Sequence, residues 1–233
     1  MQSGLRRFKT DKMRPMAKLD TTPDDSPARK SAAKASGDPD SPSLNLTNHF
    51  LIAMPSMLDP VFGGTVVYLC EHNANGALGV VINKPTDMTM QLLFERIDLK
   101  LEINPELGFD DPIGERPVMF GGPVQVERGF VLHTPGKSYS STLKVTEQIA
   151  MTTSKDVLEE VAQGGGPQRI LVSLGCSGWS AGQLESEIVH NGWLTVAADP
   201  AIIFDLPVAE RFAAAVNLLG ISPYMLTSES GRA

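Results

Sequence analysis

A serine lies at the centre of a Gly-x-Ser-x-Gly motif at residues 178–182. In α/β-hydrolases this pattern forms a nucleophile elbow, a sharp turn that exposes the serine between a strand and a helix. Ser180 also precedes Gln183 by three residues, the spacing of a helix capping box in which the serine is the N-cap. The next histidine, His190, would lie about 15 Å further along that helix, too far for proton transfer. The spacing therefore favours a cap over a catalytic serine, which would need His72 or His133 as its base.

The two cysteines are the other candidates for chemistry. Cys176 precedes the predicted helix, where the helix dipole favours a thiolate, although a small apolar turn residue is the interpretation we favour. Cys70 is expected in the core, but with His72 two residues later it shares one face of a strand, and His49 or His133 could complete a zinc site. No second ligand pair has a typical spacing. We therefore expect no metal, no cofactor and no disulfide framework.

Glycines between Gly175 and Gly182 predict a turn directly before this helix. Backbone N–H groups at such a position can bind an anion, which makes a small-ligand or anion site one possible function of the turn. The segment lacks both the Lys-Ser/Thr of a P-loop and the spacing of a dinucleotide-binding loop. Tight backbone packing is the alternative, and the same choice applies at Gly121 and Gly122. We favour packing, because glycine reports backbone geometry first.

Short apolar runs and turn residues predict the elements that must position these groups. Strands are predicted at residues 50–53, 65–70, 77–83, 118–120, 129–134, 142–146, 169–174 and 193–198. Asn75-Gly76 predicts a type I′ turn that pairs 65–70 with 77–83. His72 and Asn73 are expected to fix the end of that hairpin by polar bonds.

Helices are predicted after caps at Asp87, Ser154 and Ser180, and between Pro207 and Gly220. Residues 98–116 contain several prolines and glycines and predict a long loop. Strands dominate the middle of the chain and alternate with helices in its last third. The predicted fold class is therefore α+β, a mixed α/β protein.

Three segments resemble the YqgE/AlgH family of bacterial proteins. The segment LGCSGWSAGQLE at 174–185 is similar to the family signature L-G-Y-[AS]-G-W-[GS]-x-G-Q-L-E. The others are HFLIAMP at 49–55 with TVVYLCEHN at 65–73 and GVVINKP at 79–85, and GGPV at 121–124 with RGFVLH at 128–133. Cys176 replaces the usual Tyr, and Ser180 stands where Gly is common, which further weakens a nucleophilic role.

The resemblance implies a complex mixed β-sheet, partly curled into a small barrel and flanked by helices. It implies no established biochemical activity, because members are described as uncharacterised proteins or labelled transcriptional regulators. If a ligand site exists, polar and glycine residues of the family-like segments are its candidates, since such residues tend to face a shared cleft. They are Asn83, Lys84, Gly121, Gly122, Arg128, His133, Trp179 and Gln183.

Composition divides the 233-residue chain into two parts. Residues 1–43 contain nine Lys/Arg and six Asp, a net charge of +3, and lack an apolar period, so we expect a disordered basic extension. This segment is either a lineage-specific tail or the product of a mis-assigned start, with Met13 and Met16 as alternatives. Residues 44–233 contain 11 basic and 21 acidic side chains, a net charge of −10, and are expected to form a single globular domain.

We therefore interpret the chain as a non-enzymatic protein with a regulatory or adaptor role and an unidentified protein partner. A small-ligand or anion-binding protein that uses the 175–182 turn is the alternative, and a serine hydrolase that uses Ser180 is a weaker one. The sequence shows neither an apolar run long enough to span a membrane nor a secretory signal, so we expect a soluble cytoplasmic protein.

We predict that residues 44–233 do not bind DNA in a sequence-specific way, because a net charge of −10 opposes contact with phosphates. Titration of labelled promoter DNA at moderate salt, with the full chain and with residues 44–233, tests this. Weak, salt-sensitive and sequence-blind binding by the full chain alone is expected from its basic extension. Salt-resistant, sequence-selective binding by residues 44–233 would contradict the prediction.

Overall fold

The computed structural model describes residues 44–101 and 113–222, which belong to one unit, Pro42–Ala233. The prediction for residues 1–43 lies outside the described residues, and so does the prediction for 102–112 within the loop at 98–116. Residues Ile113–Glu115 form a short 3-10 turn.

Ten strands in the described residues form one curled sheet, a half-barrel. They are β1 (His49–Ala53), β2 (Val66–Asn73), β3 (Gly76–Val81), β4 (Pro85–Thr89), β5 (Pro117–Phe120), β6 (Val124–His133), β7 (Thr142–Lys144), β8 (Ala150–Thr152), β9 (Ile170–Ser180) and β10 (Trp193–Ala197). Their order is β10-β1-β2-β3-β9-β6-β8-β7, while β5 pairs with β9 and β4 with β5. Of these pairs only β5 with β9 is parallel.

Five helices in the same residues cover the sheet. They are α1 (Met90–Arg96), α2 (Asp156–Ala162), α3 (Gln183–Val189), α4 (Pro200–Phe204) and α5 (Arg211–Asn217), with a 3-10 turn at Val208–Glu210 before α5. Helices α4 and α5 pack on one apolar cluster, α1 and α2 on a second, and α3 on a third that contains both tryptophans. The predicted α+β class is confirmed. No helix in the described part of the chain is long and apolar enough to cross a membrane.

Strand β9 joins the two halves of the sheet, which are β10-β1-β2-β3 and β6-β8-β7 with β5 and β4. It can do so because it changes its pairing partner along one edge. Its first half pairs with β5, from Ser173 opposite Met119 to Leu174 opposite Phe120. Its second half pairs with β3, from Ser177 opposite Gly79 onward. Strand β6 follows the other edge but bulges between Val124 and Gly129. The exchange of neighbours therefore takes place around Gly175 and Cys176.

Glycines make this exchange possible by removing side chains where backbones meet. A Cβ on Gly121 would lie 2.1 Å from the Gly175 carbonyl oxygen, and one on Gly122 would lie 2.3 Å from that of Cys176. The Gly121 N–H donates to Leu174 O at 2.8 Å, and its carbonyl accepts from Val81 N–H at 2.9 Å. The packing interpretation of Gly121, Gly122 and Gly175 is therefore confirmed.

The predicted hairpin is present, with a different turn. Strand β2 pairs with β3, as expected, but the pairing of Asn73 with Gly76 leaves Ala74 and Asn75 as the turn residues. Gly76 has a φ of 133° and begins β3, while Asn75 does not adopt a positive φ. The predicted type I′ turn at Asn75-Gly76 is thus wrong. The turn residues lie one position earlier, because β2 extends beyond its apolar residues to Asn73.

The predicted helix caps at Asp87 and Ser154 are wrong. Asp87 lies within β4, a strand that the sequence did not indicate, and Thr89 caps α1 by accepting from the Leu92 N–H at 3.3 Å. Ser154 does not cap α2, which begins after Lys155 without a side-chain cap.

The sequence also missed α4. Asp199 caps this helix by accepting from the Ala201 N–H at 2.9 Å, and Pro200 occupies its first turn. Short helices of this kind depend on such local signals, which are easy to miss next to a strand.

We predict that Gly121→Ala lowers the free energy of unfolding by about 3 kcal/mol, because the new methyl group would collide with backbone that cannot move aside. The melting temperature should fall by roughly 6–12 °C. Gly129→Ala is the matched control, since nothing lies within 4 Å of a Cβ there. The close backbone contact of Gly121 and Gly122 with Gly175 and Cys176 is called the glycine crossing below. Equal melting temperatures for the two variants would show that this contact can relax.

Candidate functional site

Ser180 is the last residue of β9 and is exposed. Its backbone N–H donates to Gln183 Oε1 at 3.0 Å, which is one half of a capping box. Helix α3 nevertheless begins after Gly182, which has a φ of 73° and provides no side-chain cap. The prediction that Ser180 is the N-cap is therefore wrong.

The segment from Gly175 to Gly182 is mostly strand, because β9 continues to Ser180. Only Ala181 and Gly182 separate the strand from α3, so the predicted turn at 175–182 is wrong. Ser180 does not adopt a positive φ, and none of the four histidines is hydrogen-bonded to it. The geometry thus provides neither a strained elbow with a base nor the turn on which the anion-binding alternative rested.

Both cysteines are buried within strands. Cys176 lies in the middle of β9, so the prediction that it occupies a turn before a helix is wrong. Burial raises the pKa of its thiol, against a smaller opposing effect of the Arg128 charge. Cys70 is 1% exposed and belongs to the core, as predicted, and this burial strongly raises the pKa of its thiol. Neither environment favours the thiolate that redox chemistry requires.

His72 holds together the end of the hairpin. Its Nδ1 accepts from the Leu46 N–H at 2.9 Å, and its Nε2 lies 3.1 Å from Glu185 Oε1 on α3. Asn73 Oδ1 accepts from the Asn75 N–H at 2.8 Å. The predicted polar bonding at this end is confirmed. In the described residues, no group of three potential metal ligands forms around Cys70, His72 or elsewhere.

Trp179 and Gln183, two of the predicted site residues, converge on one carboxylate. Glu187 Oε2 accepts from the indole N–H groups of both Trp179, at 2.9 Å, and Trp193, at 2.8 Å. Gln183 Nε2 donates to Glu187 Oε1 at 2.9 Å. Phe62 packs against both indole rings. This group fixes α3 on the sheet.

Asn83 and Lys84 follow β3 and are hydrogen-bonded to the loop before β2. Asn83 accepts from the Val66 N–H at 2.8 Å and donates to Gly64 O at 3.0 Å. Lys84 Nζ donates to the carbonyls of Pro60 and Val61, at 3.2 and 3.0 Å, and lies 5.4 Å from the Phe120 ring centroid. Both side chains therefore fasten the loop before β2 to the segment that follows β3.

Arg128 and His133 are at different points of β6. Arg128 is exposed and donates to Gln125 and Thr153. His133 is 1% exposed, with Nδ1 2.9 Å from Thr134 O and Nε2 2.8 Å from Thr152 Oγ1. The eight predicted residues thus lie at several separate places instead of in one site, and none of them lines the cleft described next. Ligand binding by these residues remains a prediction.

A cleft of about 570 Å³ lies between the parallel pair β5–β9 and the connection from α4 to α5. Its polar lining contains Arg116, Gln168, Arg169, Asp205 and Arg211. Arg169 and Asp205 form an ion pair in which both side chains remain partly exposed. The rest of the lining is apolar: Met90, Ile113, Pro117, Met119, Ile170, Leu171, Val172, Phe204, Leu206, Pro207 and Val208.

Arg211 begins α5 and is 7% exposed. Its Nε donates to Leu206 O at 3.1 Å, and its Nη1 donates to Ile82 O at 2.6 Å. Burial lowers the pKa of the guanidinium to about 10, so the group keeps its charge at neutral pH. No carboxylate of the described residues forms an ion pair with it.

Sequence reasoning missed this cleft, since its arginines lie far apart in the chain. One signal was available: Arg211 shares a helix face with Ala215, four residues later, and both are buried. A charged residue on an apolar helix face is unusual enough to mark a candidate site.

The sequence of the chain is similar to those of known proteins. The family described as AlgH-like matches residues 50–224. The chain belongs to the AlgH-like family. It is 64% identical to a UPF0301 protein of Ralstonia nicotianae over 84% of this chain and 98% of that protein. It is 62% identical to a UPF0301 protein of Burkholderia cenocepacia over 82% of this chain and 96% of that protein.

Two solved structures are similar to this AlgH-like chain. The AlgH protein of Pseudomonas aeruginosa is 48% identical, with a TM-score of 0.65 over 83% of this chain and 98% of that one. Protein DIP2367 of Corynebacterium diphtheriae has a TM-score of 0.56 over 72% of this chain and 84% of that one. At 17% identity, the second likeness shows a shared fold alone. The resemblance stated from the sequence is confirmed.

We predict that His133 makes stability depend on pH. Burial lowers its pKa below the usual value of about 6.5, so the unfolded chain takes up a proton that the folded protein resists. Stability should therefore fall as pH decreases from about 7 to 5, by at most about 1.4 kcal/mol per pH unit.

His133→Gln keeps a donor for Thr134 O and an acceptor for the Thr152 hydroxyl, and should flatten this decline in urea unfolding curves. The exposed His190 provides the control, because His190→Gln should retain the wild-type slope. An unchanged slope in His133→Gln would refute the assignment.

Proposed function

We propose that this AlgH-like chain is a non-enzymatic, cytoplasmic protein that acts in regulation as an adaptor for a protein partner. The observation that supports this most directly is the structural role of the family-like segment at 174–185. Its residues build the second half of β9 and anchor α3, so its serine and its cysteine contribute to architecture. The resemblance to a family whose members are labelled transcriptional regulators supports the regulatory part.

A protein partner fits the charge of the chain better than direct DNA contact. The net charge of −10 on residues 44–233 opposes binding to phosphates. A regulator with such a surface would act through a protein that itself contacts nucleic acid or polymerase. In this role the chain would change gene expression without a catalytic step of its own.

A serine hydrolase is the competing function. Ser180 is exposed at the end of a strand, as a nucleophile would be, but no histidine is hydrogen-bonded to it. General-base catalysis requires a base within hydrogen-bond reach or one water away. The adaptor role needs no such pair, which is why we favour it.

The proposal is tested with the double variant Ser180→Ala/Cys176→Ala in a bacterial host that lacks its own family member. Transcript profiles are compared for the deletion strain, the strain with the wild-type chain and the strain with the variant. We expect the variant to restore the profile as fully as the wild type, since the proposal gives neither substituted side chain a chemical role. Immunoblotting must first show equal protein abundance.

Labelling provides an independent measurement on the purified protein. A fluorophosphonate probe and iodoacetamide should leave the native chain unmodified, while iodoacetamide should modify both cysteines after unfolding in urea. Stoichiometric modification of native Ser180, or loss of complementation at equal abundance, would favour an enzyme. An unaltered transcript profile in the deletion strain would remove the regulatory role itself.

A further inference from the structure

We infer that the cleft between α5 and the β5–β9 pair binds a small organic anion, whose carboxylate or phosphate group contacts Arg211. This inference goes beyond the adaptor role and does not depend on it.

The first observation is the unused hydrogen-bonding capacity of Arg211. A guanidinium has five N–H donors, and here Nε and Nη1 each donate to one backbone carbonyl. No buried side-chain nitrogen or oxygen in the described residues lacks a hydrogen-bond partner. Nη2 has no acceptor among the described residues, so it is not among the buried atoms. The cleft that Arg211 lines gives a ligand access to it. Its donors are thus available to a ligand.

The second observation is the burial of a charge without an opposite charge. Removing a guanidinium from water is unfavourable, and two neutral carbonyls compensate only part of this penalty. An apolar side chain of similar size would fill the same space with less penalty. A buried arginine whose remaining donors face a cavity is instead typical of the recognition of carboxylates and phosphates.

The third observation is the local charge. Three arginines and one aspartate line the cleft, whereas residues 44–233 as a whole have a net charge of −10. The aspartate, Asp205, is bound to Arg169 and does not reach Arg211 within ion-pair distance. Because Asp205 compensates Arg169, the charge of Arg211 has no carboxylate partner among the described residues, and it attracts anions to the cleft.

The walls of the cleft indicate the rest of the ligand. Its volume of about 570 Å³ lies within the range of small-molecule sites. Phe204, Leu206, Val208 and Leu171 are among its lining residues and belong to one apolar cluster, and such side chains cannot solvate an inorganic ion. The chemistry that fits is an acidic head group on an apolar body, either a carboxylic acid or a phosphate monoester.

The test is a titration of the isotope-labelled full chain, followed by NMR, with four probes. Hexanoate and hexyl phosphate present the two head groups on one apolar body, hexanol lacks the charge, and inorganic phosphate lacks the apolar body. We expect saturable shifts of the Arg211 Nε–H resonance and of the Leu171 and Val208 amides with hexanoate, hexyl phosphate or both. The head group that binds more tightly identifies the class of ligand.

Arg211→Met should weaken binding at least about tenfold, because it removes the charged donors and keeps an unbranched apolar stem. Arg96→Met is the control: it removes an exposed arginine that does not line the cleft and should leave the Kd unchanged. At a probe concentration ten times Kd, the melting temperature of the wild type and of this control should rise by roughly 3–5 °C.

The wild-type titration is decisive even if Arg211→Met does not fold. Absence of shifts at Arg211 with both organic anions would overturn the inference, as would shifts of equal size with hexanol. Equal affinity for inorganic phosphate and hexyl phosphate would overturn it as well, since the apolar walls would then contribute nothing. Loss of binding in Arg96→Met instead of Arg211→Met would overturn it too.

Discussion

The close backbone contact of Gly121 and Gly122 with Gly175 and Cys176 is the constraint on which the sheet depends. Strand β9 exchanges β5 for β3 along one edge at this point, and β6 bulges on the opposite edge. Any side chain on Gly121 or Gly122 would push the backbones apart. The two halves of the sheet are joined at this contact, because both are hydrogen-bonded to β9.

Because of this constraint, the Gly-x-Ser-x-Gly motif has to be interpreted as part of the sheet. Gly-x-Ser-x-Gly is the pattern of a nucleophile elbow, and Ser180 with Gln183 has the spacing of a capping box. In the structure the motif is strand that pairs with β3, followed by two connecting residues. Here the glycines and the serine of the motif determine the course of the backbone. Whether the motif also has a chemical function depends on the side chains that lie next to it.

The fold class, most strands and the pairing of β2 with β3 could be predicted, because apolar alternation and turn residues act locally. The second half of β9 could not, since glycine and serine disfavour strands and the pairing comes from residues about 50 and 100 positions away. The cleft could not either. Its arginines, at 116, 169 and 211, meet only after β5, β9 and α5 have packed, and burial of Arg211 on an apolar face was the single local sign.

The cleft and the glycine crossing are two consequences of the same strand. The first half of β9 provides Ile170, Leu171 and Val172 to the cleft while β5 and β6 hold both of its edges. Arg211 is fixed in turn by carbonyls at the end of β3 and before α5. An anion would therefore meet a guanidinium that has already lost most of its conformational freedom. Such preorganisation reduces the entropy lost on binding, so even a shallow cleft on this scaffold can be selective.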